Sequence, residues 1–478
     1  MASPHLQYAL SRLQGVSSNR VMVEPLNGGG NAGPNSLIRW AIPSNCLWDT
    51  RGSILSMDVK CTGNGSGGRL PPKIDSLINR ISISAGGIQL ASGCNLYNVF
   101  RHAKDSLTKD HTDSVTGHPE MIRQKSYVNG AAVAGPTDPE TYAAGERNFS
   151  VCHWEGFLGS VEPSILDTSL LPSDIIIEIE FAPASVLSCV NGTHLPGKQS
   201  AAGTASNSTF LNNNATGGAS YAIENLRFSF QIYGLAGNFY SEMISSRMRS
   251  VGFLEISKKD LYSFESTHDG STRVQVSSQS VDRVWVCHRA AGFDTQKAPI
   301  QVAGGPVSIN SGLVAANTAV FTAQEALSKN LAISSFDSYG RFGNVEKYIP
   351  AYFNFAETRA DATKPATFQF EIQNVSMPQS VVSAPEMHAI SKEAVYGYDY
   401  TMDKSLKQYK DNYFVHCLRL NMKDSESIRE LSGIDSRGQS LEIRYKTTGI
   451  KNDTNLVVFV ETSSTIRLGP NREISIIS

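Results

Sequence analysis

Residues 221–264 read YAIENLRFSFQIYGLAGNFYSEMISSRMRSVGFLEISKKDLYSF, and the change of period inside this stretch decides the architecture. Leu226, Phe228, Phe230 and Ile232 alternate, which aligns them on one face of a half-buried strand. Beyond Gly234 the apolar residues Phe239, Met243, Ile244, Met248 and Val251 recur every three to five positions, with Arg247 and Arg249 between them. That spacing predicts a short helix, which Gly252 ends. Phe253, Leu254 and Ile256 then open a second set of strands, followed by Leu261, Tyr262 and Phe264. A strand closing one sheet, a helical bridge and a strand opening another make the seam between two β-domains.

The length agrees. At roughly 150 residues per domain, 478 residues make two or three, and either side of the seam is long enough to bury its own core. A hydrophobic fraction of 40% and a charged fraction of 18% are those of a globular protein. Lys+Arg 42 against Asp+Glu 44 leaves a net charge of -2, so no overall basic field grips a nucleic-acid backbone. The cysteines at 46, 61, 94, 152, 189, 287 and 417 are odd in number and scattered, which predicts free thiols in a reducing compartment. MASPHLQYALSRLQ lacks the apolar core of a signal peptide, and no run of eighteen apolar residues occurs, so a soluble chain is expected.

Outward from the seam, Leu6, Ala9, Leu10 and Leu13 sit at helical spacing before the flexible run LNGGGNAGP, which reads as an arm on a hinge. Strands are predicted at Leu37–Ile42, Ser53–Cys61 and Ile74–Ala85, the last turning through Gly86 and Gly87 into a hairpin. Leu96, Val99, Phe100, Ala103 and Leu107 trace the apolar stripe of a helix whose Lys104, Asp105 and Lys109 face away. Residues 110–147 read as loop, and strands resume at Phe149–Leu158 and in DIIIEIEF, where Ile175, Ile177, Ile179 and Phe181 oppose Ile176, Glu178 and Glu180. Past the seam, Thr272–His288 alternates with Trp285 opposite Val284 and Val286. Tyr348–Phe355 and Thr367–Val375 read as strands, Glu386–Tyr400 as a helix. The closing strands are Tyr413–Asn421, Ser440–Thr447, Leu456–Thr462 and Thr465–Leu468. The fold class is therefore all-β: two tandem antiparallel eight-stranded jelly rolls with a short linking helix and long loop insertions. The arm takes 1–35, the first jelly roll 36–237 with an insertion at 188–220, the linking helix 238–252, and the second jelly roll 253–478 with an insertion at 298–330.

Chemistry-bearing motifs are sparse. No G-x-S-x-G elbow, P-loop or dinucleotide fingerprint is present. Cys152-His153, Cys287-His288 and His416-Cys417 are neighbours on predicted strands, so each pair points to opposite faces and cannot give both ligands to one tetrahedral zinc. Glu178 and Glu180 could serve a jelly-roll glycosidase as acid and base, but two acids on an exposed strand face more often solubilise it. Asp435 in LSGIDSRG offers too few oxygens for calcium and reads as a turn. Sequons at Asn191, Asn207 and Asn214 mark a surface insertion. No catalytic, cofactor-binding or metal residue is assigned, and no cofactor.

The order of segments resembles a family. The hairpin and helix of Ile81 to Phe100, the run LLPSDIIIEIEFAPASV at 170–186, the strand-helix-strand seam and the late LSGIDSRGQSLEIRY are similar to the major capsid proteins of the double jelly-roll lineage, in the manner of polinton-like viruses and virophages. The resemblance implies a non-enzymatic homotrimer forming a pseudo-hexagonal capsomer of an icosahedral shell around double-stranded DNA. It also implies neighbouring capsomers, penton and minor capsid proteins as partners, an N-terminal arm available to an internal membrane, and no sequence-specific nucleic-acid binding. The location implied is the virion capsid, assembled in a reducing compartment of the host cell. Two other readings stay open: a carbohydrate-binding or glycan-hydrolysing jelly roll, with Trp154, Trp285 and Tyr233 as candidate platforms, and a spike with a receptor-binding loop.

Overall fold

The computed structural model describes residues 16–62, 66–71, 73–91, 93–107, 148–191, 220–235, 239–268, 271–294, 300–301, 348–361, 363–396, 406–421, 433–437, 441–470 and 472–477. The strands of the first half are β1 (Val16–Val23), β2 (Leu37–Ile42), β3 (Leu47–Thr62), β4 (Ser66–Arg69), β5 (Ile78–Ala85), β6 (Ile88–Ala91), β7 (Asn148–Val151), β8 (Ile165–Asp167), β9 (Ile175–Phe181), β10 (Ser188–Asn191) and β11 (Ser220–Leu235). Helix α1 (Tyr97–Leu107) follows β6, and the single turn α2 (Phe157–Ser160) follows β7. After the linking helix α3 (Phe239–Val251) come β12 (Leu254–Thr267), β13 (Ser271–Val276), β14 (Ser280–Arg289), β15 (Ile300–Gln301), β16 (Tyr348–Ile349), β17 (Thr367–Ile372), β18 (Val375–Ser383), β19 (Val415–Arg419), β20 (Leu441–Thr448), β21 (Asn455–Leu468) and β22 (Ile474–Ile477). Helices α4 (Ala384–Tyr396) and α5 (Leu406–Asn412) lie between β18 and β19.

The halves repeat each other in the order of eight strands each, differing in the extra strand, β8 on β3 in one and β22 on β21 in the other. In the first, a five-stranded sheet in the order β1–β11–β3–β7, with β8 also on β3, faces a four-stranded sheet β2–β9–β5–β6. In the second, β12–β21–β14–β19, with β22 on β21, faces β13–β20–β17–β18. Each position in one order has its counterpart in the other, and each half is an antiparallel jelly roll. Short ladders β4–β10 and β15–β16 stand apart.

Alternation builds the cores. Ile175, Ile177, Ile179 and Phe181 of β9 are buried while Ile176, Glu178 and Glu180 between them are half-buried on the outer face. Trp40 of β2 meets Phe228 of β11 at 5.9 Å between ring centres, joining the two sheets of the first barrel. The β5–β6 hairpin turns through Gly86 and Gly87 at φ +59° and +80°, and a Cβ on Gly86 would come within 2.7 Å of Pro172. That turn admits only glycine.

Several boundaries differ from the sequence reading. Val16–Val23, assigned to the arm, is the edge strand of the first barrel and pairs with β11 along its whole length. The strand expected over Phe149–Leu158 stops at Val151, and α2 takes over after Gly156 at φ +68°. Leu456–Thr462 and Thr465–Leu468 are one strand, because β12 pairs with β21 without a break through Ser463 and Ser464. Ile74–Leu77 is a 3-10 turn ahead of β5, and Tyr348–Phe355 shortens to β16 and a 3-10 turn at Ala351–Phe353. The helix expected around Leu6 to Leu13, the loop at 110–147 and most of the insertions at 188–220 and 298–330 lie outside the described residues.

The second core contains a polar tie. His288 of β14 and His416 of β19, both on the five-stranded sheet, share hydrogen bonds of 2.7 and 2.6 Å with the hydroxyl of Tyr445 on β20 opposite. All three are buried, with Phe368 and Phe414 packed edge-on around them. The hydroxyl has one proton, so it donates to one imidazole and accepts from the other. Burial pushes the His288 imidazole down to about 3 and that of His416 well below its ordinary value. A histidine depressed in the folded state leaves stability intact above its unfolded value near 6.5 and loses it as pH falls below, because the unfolded chain binds the proton first. Urea unfolding at pH 7 and pH 5 should therefore show a loss of about 2 kcal/mol for each such histidine. His416→Phe should make that pH slope shallower by about one proton; an unchanged slope would contradict the tie.

Candidate functional site

The residues with the most structural consequence lie where the two barrels meet, on α1. Its Val99, Ala103 and Leu107 are buried. Phe100 reaches across to the second barrel, meeting Trp285 of β14 at 5.7 Å and Phe459 of β21 at 5.3 Å, both edge-on. Two residues further, His102 stacks on Phe353 at 4.0 Å and shares a 2.7 Å hydrogen bond with Ser76. Burial pushes the His102 imidazole down to about 4, so it is neutral at pH 7.

Charges are gathered around this apolar contact. Arg101 donates to Asp75 at 3.0 Å and to Glu155 at 2.9 Å, and Lys104 donates to the same Glu155 oxygen at 2.7 Å. Lys73 pairs with Asp105. Burial alone would raise the Glu155 and Asp105 carboxyls, but Lys104 and Arg101 in one case and Lys73 and Arg101 in the other hold them below the usual range. Burial would lower the Lys104 ammonium, yet Glu155 and Glu461, the latter from the second barrel, raise it. Glu461 also accepts from Arg283 at 3.2 Å. The backbone closes the seam beside α2, where Glu162 and Ser257 exchange N–H···O bonds of 2.9 Å and the Lys259 N–H donates to Ser160 Oγ at 2.8 Å. Nothing in this arrangement poises a nucleophile or an open ligand position; it joins two bodies.

Sequence reasoning placed the α1 stripe but not its partners. Lys104 and Asp105 were expected to face away, and both are drawn into ion pairs by Glu155 and Lys73. Asp75, Arg101 and Glu155 are so far apart in the chain that no local pattern connects them. The three Cys/His neighbours behave differently from one another. Cys287 and Cys417 lie on the opposite face of their strands from His288 and His416, as alternation requires, and burial holds both thiols well above their ordinary range. Cys152 and His153 lie just beyond β7, where the thiol and Nδ1 are 3.6 Å apart. Among the described residues no group of three or more His, Cys, Asp or Glu side chains is placed to hold a metal. Glu178 is paired with Arg39 and Glu180 with Arg80, so both carboxylates are engaged within the chain. Trp154 and Trp285 are buried, while Tyr233 is half-buried on β11. Asp435 sits in a turn and pairs with Arg437, whose hydrogen bonds hold its carboxyl down to about 2.

Two like barrels clamped by a buried helix define the double jelly-roll class. In solved structures the chain is similar to PBCV-1 VP54 as fitted into a reconstruction of the virophage Sputnik, with a TM-score of 0.55 and 10% identity over 98% of both chains. It is likewise similar to the capsid protein in the quasi-atomic model of the PBCV-1 virus capsid, at a TM-score of 0.54 and 10% identity over 98% of both chains. At that identity the likeness is one of fold. No protein-family profile and no curated protein matches the sequence.

If the seam holds the barrels together, Phe100→Ala should lower unfolding free energy by about 3–5 kcal/mol, the cost of emptying a buried aromatic position. Ile176→Ala, on the half-buried outer face of β9, should cost less than about 1 kcal/mol. Chemical denaturation of the two variants checks this; equal losses would remove α1 from its role.

Proposed function

We propose that this chain is the building block of a virus shell, a major capsid protein that works by fitting against copies of itself. The observation that carries this reading is the repeated strand order of two jelly rolls in one chain, together with a fold shared along its whole length with capsid structures. Three copies round a threefold axis place six similar lobes in a ring, and such a ring tiles a surface. In this reading residues 16–237, which include the edge strand β1, and 253–478 are the two lobes, and 238–252 connects them.

The residues before β1 are the arm, available to a neighbouring subunit or an internal membrane. Penton and minor capsid proteins complete the shell. Assembly takes place in a reducing compartment of the host, which suits buried thiols such as Cys94, Cys287 and Cys417. The role is mechanical, and no sequence-specific contact with the genome is part of it.

Native mass spectrometry and negative-stain imaging of the purified protein test the proposal. The expected result is a particle of three times the 51.8 kDa chain that packs into hexagonal arrays. A stable monomer at micromolar concentration would overturn it.

A further inference from the structure

Mild acid charges one kind of side chain, the imidazole, and the two barrels differ in it. Four histidines are buried among the described residues, His268 after β12, His288 on β14, His388 on α4 and His416 on β19, and all four belong to the second barrel. In the first half the described histidines are His102, half-buried at the seam, and His153, which is exposed. Burial holds His102 neutral against the pull of Asp75 and Asp105, two carboxylates that would share the charge of its proton.

The four in the second barrel lie within electrostatic reach of one another. His288 and His416 stand 5.2 Å apart between ring centres, both bonded to the Tyr445 hydroxyl. His268 shares a 2.9 Å hydrogen bond with Thr447, two residues along β20, and His388 stacks on Tyr409, whose ring packs against Phe414. Burial is the main force against a proton on His288 and His416, and the other imidazoles add to it: His268 acts on His288, while His288 and His388 act on His416. Around the pair, β17 and the segment before β19 contribute Phe368 and Phe414, β20 and α5 the phenols of Tyr445 and Tyr409, and β14 the Cys287 thiol. One turn from His388, α4 adds the buried cation Lys392. Glu357 acts on Tyr409 and is itself paired with Arg359 and Lys410. Among the described residues no carboxylate acts on His288 or His416.

We infer that the second barrel is an acid-responsive unit, which below about pH 6 opens ahead of the first barrel and releases Phe100 of α1 to solvent. The closed barrel has nowhere to put a proton, whereas the open chain binds one on each imidazole near pH 6.5. Each of His288 and His416 therefore shifts the equilibrium toward the open form by up to about tenfold per pH unit as the pH falls. Opening the second barrel alone gives up its own packing and the seam. Opening both also breaks the sheets of the first barrel, which gains no buried imidazole to protonate in return, so acid acts on the second barrel by itself. A free chain carries the whole device, and it operates whether or not copies assemble.

Hydrogen exchange of the full chain at pH 7 and pH 5, read peptide by peptide in a mass spectrometer with times scaled for the intrinsic rate, tests this. Both values lie above the ordinary carboxylate range, so imidazoles are what titrates between them. Peptides from β14, β19 and β20 should show an opening equilibrium about 600-fold larger at pH 5, the product of about 25-fold for each of His288 and His416. Peptides from β3, β9 and β11 should change by less than tenfold. Replacing the tie with apolar groups, His288→Leu and His416→Leu together with Tyr445→Phe, should cut the rise at least a hundredfold. In the wild-type chain, equal opening of both barrels or no rise at pH 5 would overturn the acid response without recourse to the variant. A folded variant that keeps the whole rise would overturn it as well.

Discussion

The structure depends above all on the buried contact of Phe100 with Trp285 and Phe459, which together with His102 on Phe353 and the Glu162–Ser257 backbone pair turns two closed barrels into one body. Each barrel pairs its own two sheets, yet the buried apolar residues of both run together as one core through this contact. What requires it is the outer face of the second five-stranded sheet, where Trp285 and Phe459 would present an apolar patch to water if α1 were absent. The ion pairs around Phe100 have a different job. Removing Arg101, Asp75 and Glu155 from water costs about what their attraction returns, so their contribution is to fix how α1 lies and not to hold it down.

The repeat of topology makes the differences between the halves informative. Identical strand orders fill their cores in different ways: the first with Trp40, Phe228 and the β9 isoleucines, the second with aromatic rings and the His288–Tyr445–His416 tie. Both solutions satisfy the same spacing between sheets, because a jelly-roll core asks for volume and satisfied polar groups and not for particular residues. That tolerance explains how two barrels in one chain share a plan with no motif in common.

Much of the fold was legible because it rests on period. DIIIEIEF declares an alternation that the structure keeps residue for residue, and the linking helix expected at 238–252 runs Phe239–Val251. The failures have physical causes. Val16–Val23 has a run of four polar residues, Ser17 to Arg20, that breaks the apolar alternation, and its pairing partner lies more than two hundred residues away. The seam was legible only by half: the stripe on α1 showed that the helix is buried, but a stripe does not say against what. Phe100 and Val99 look alike in sequence, yet one packs at home and the other reaches the second barrel. Buried ion pairs such as Arg101–Asp75 are invisible to any local pattern, since their members join only when the fold is complete.

The contrast between the two five-stranded outer faces follows from whether the chain covers them. The face bearing Trp285 and Phe459 is covered by the same chain as it folds, so aromatic residues there are never presented to solvent for long. A face left open by the chain has to stay soluble, and large apolar side chains in that position would associate without regard to register. Ser56 and Ser150, hydrogen-bonded to each other, and the Lys60–Glu224 ion pair on the same face meet that demand. The paired charges on the two four-stranded faces carry this logic further. Arg39–Glu178, Arg80–Glu180 and the Arg444 cluster satisfy themselves within the chain, so they attract no partner strongly.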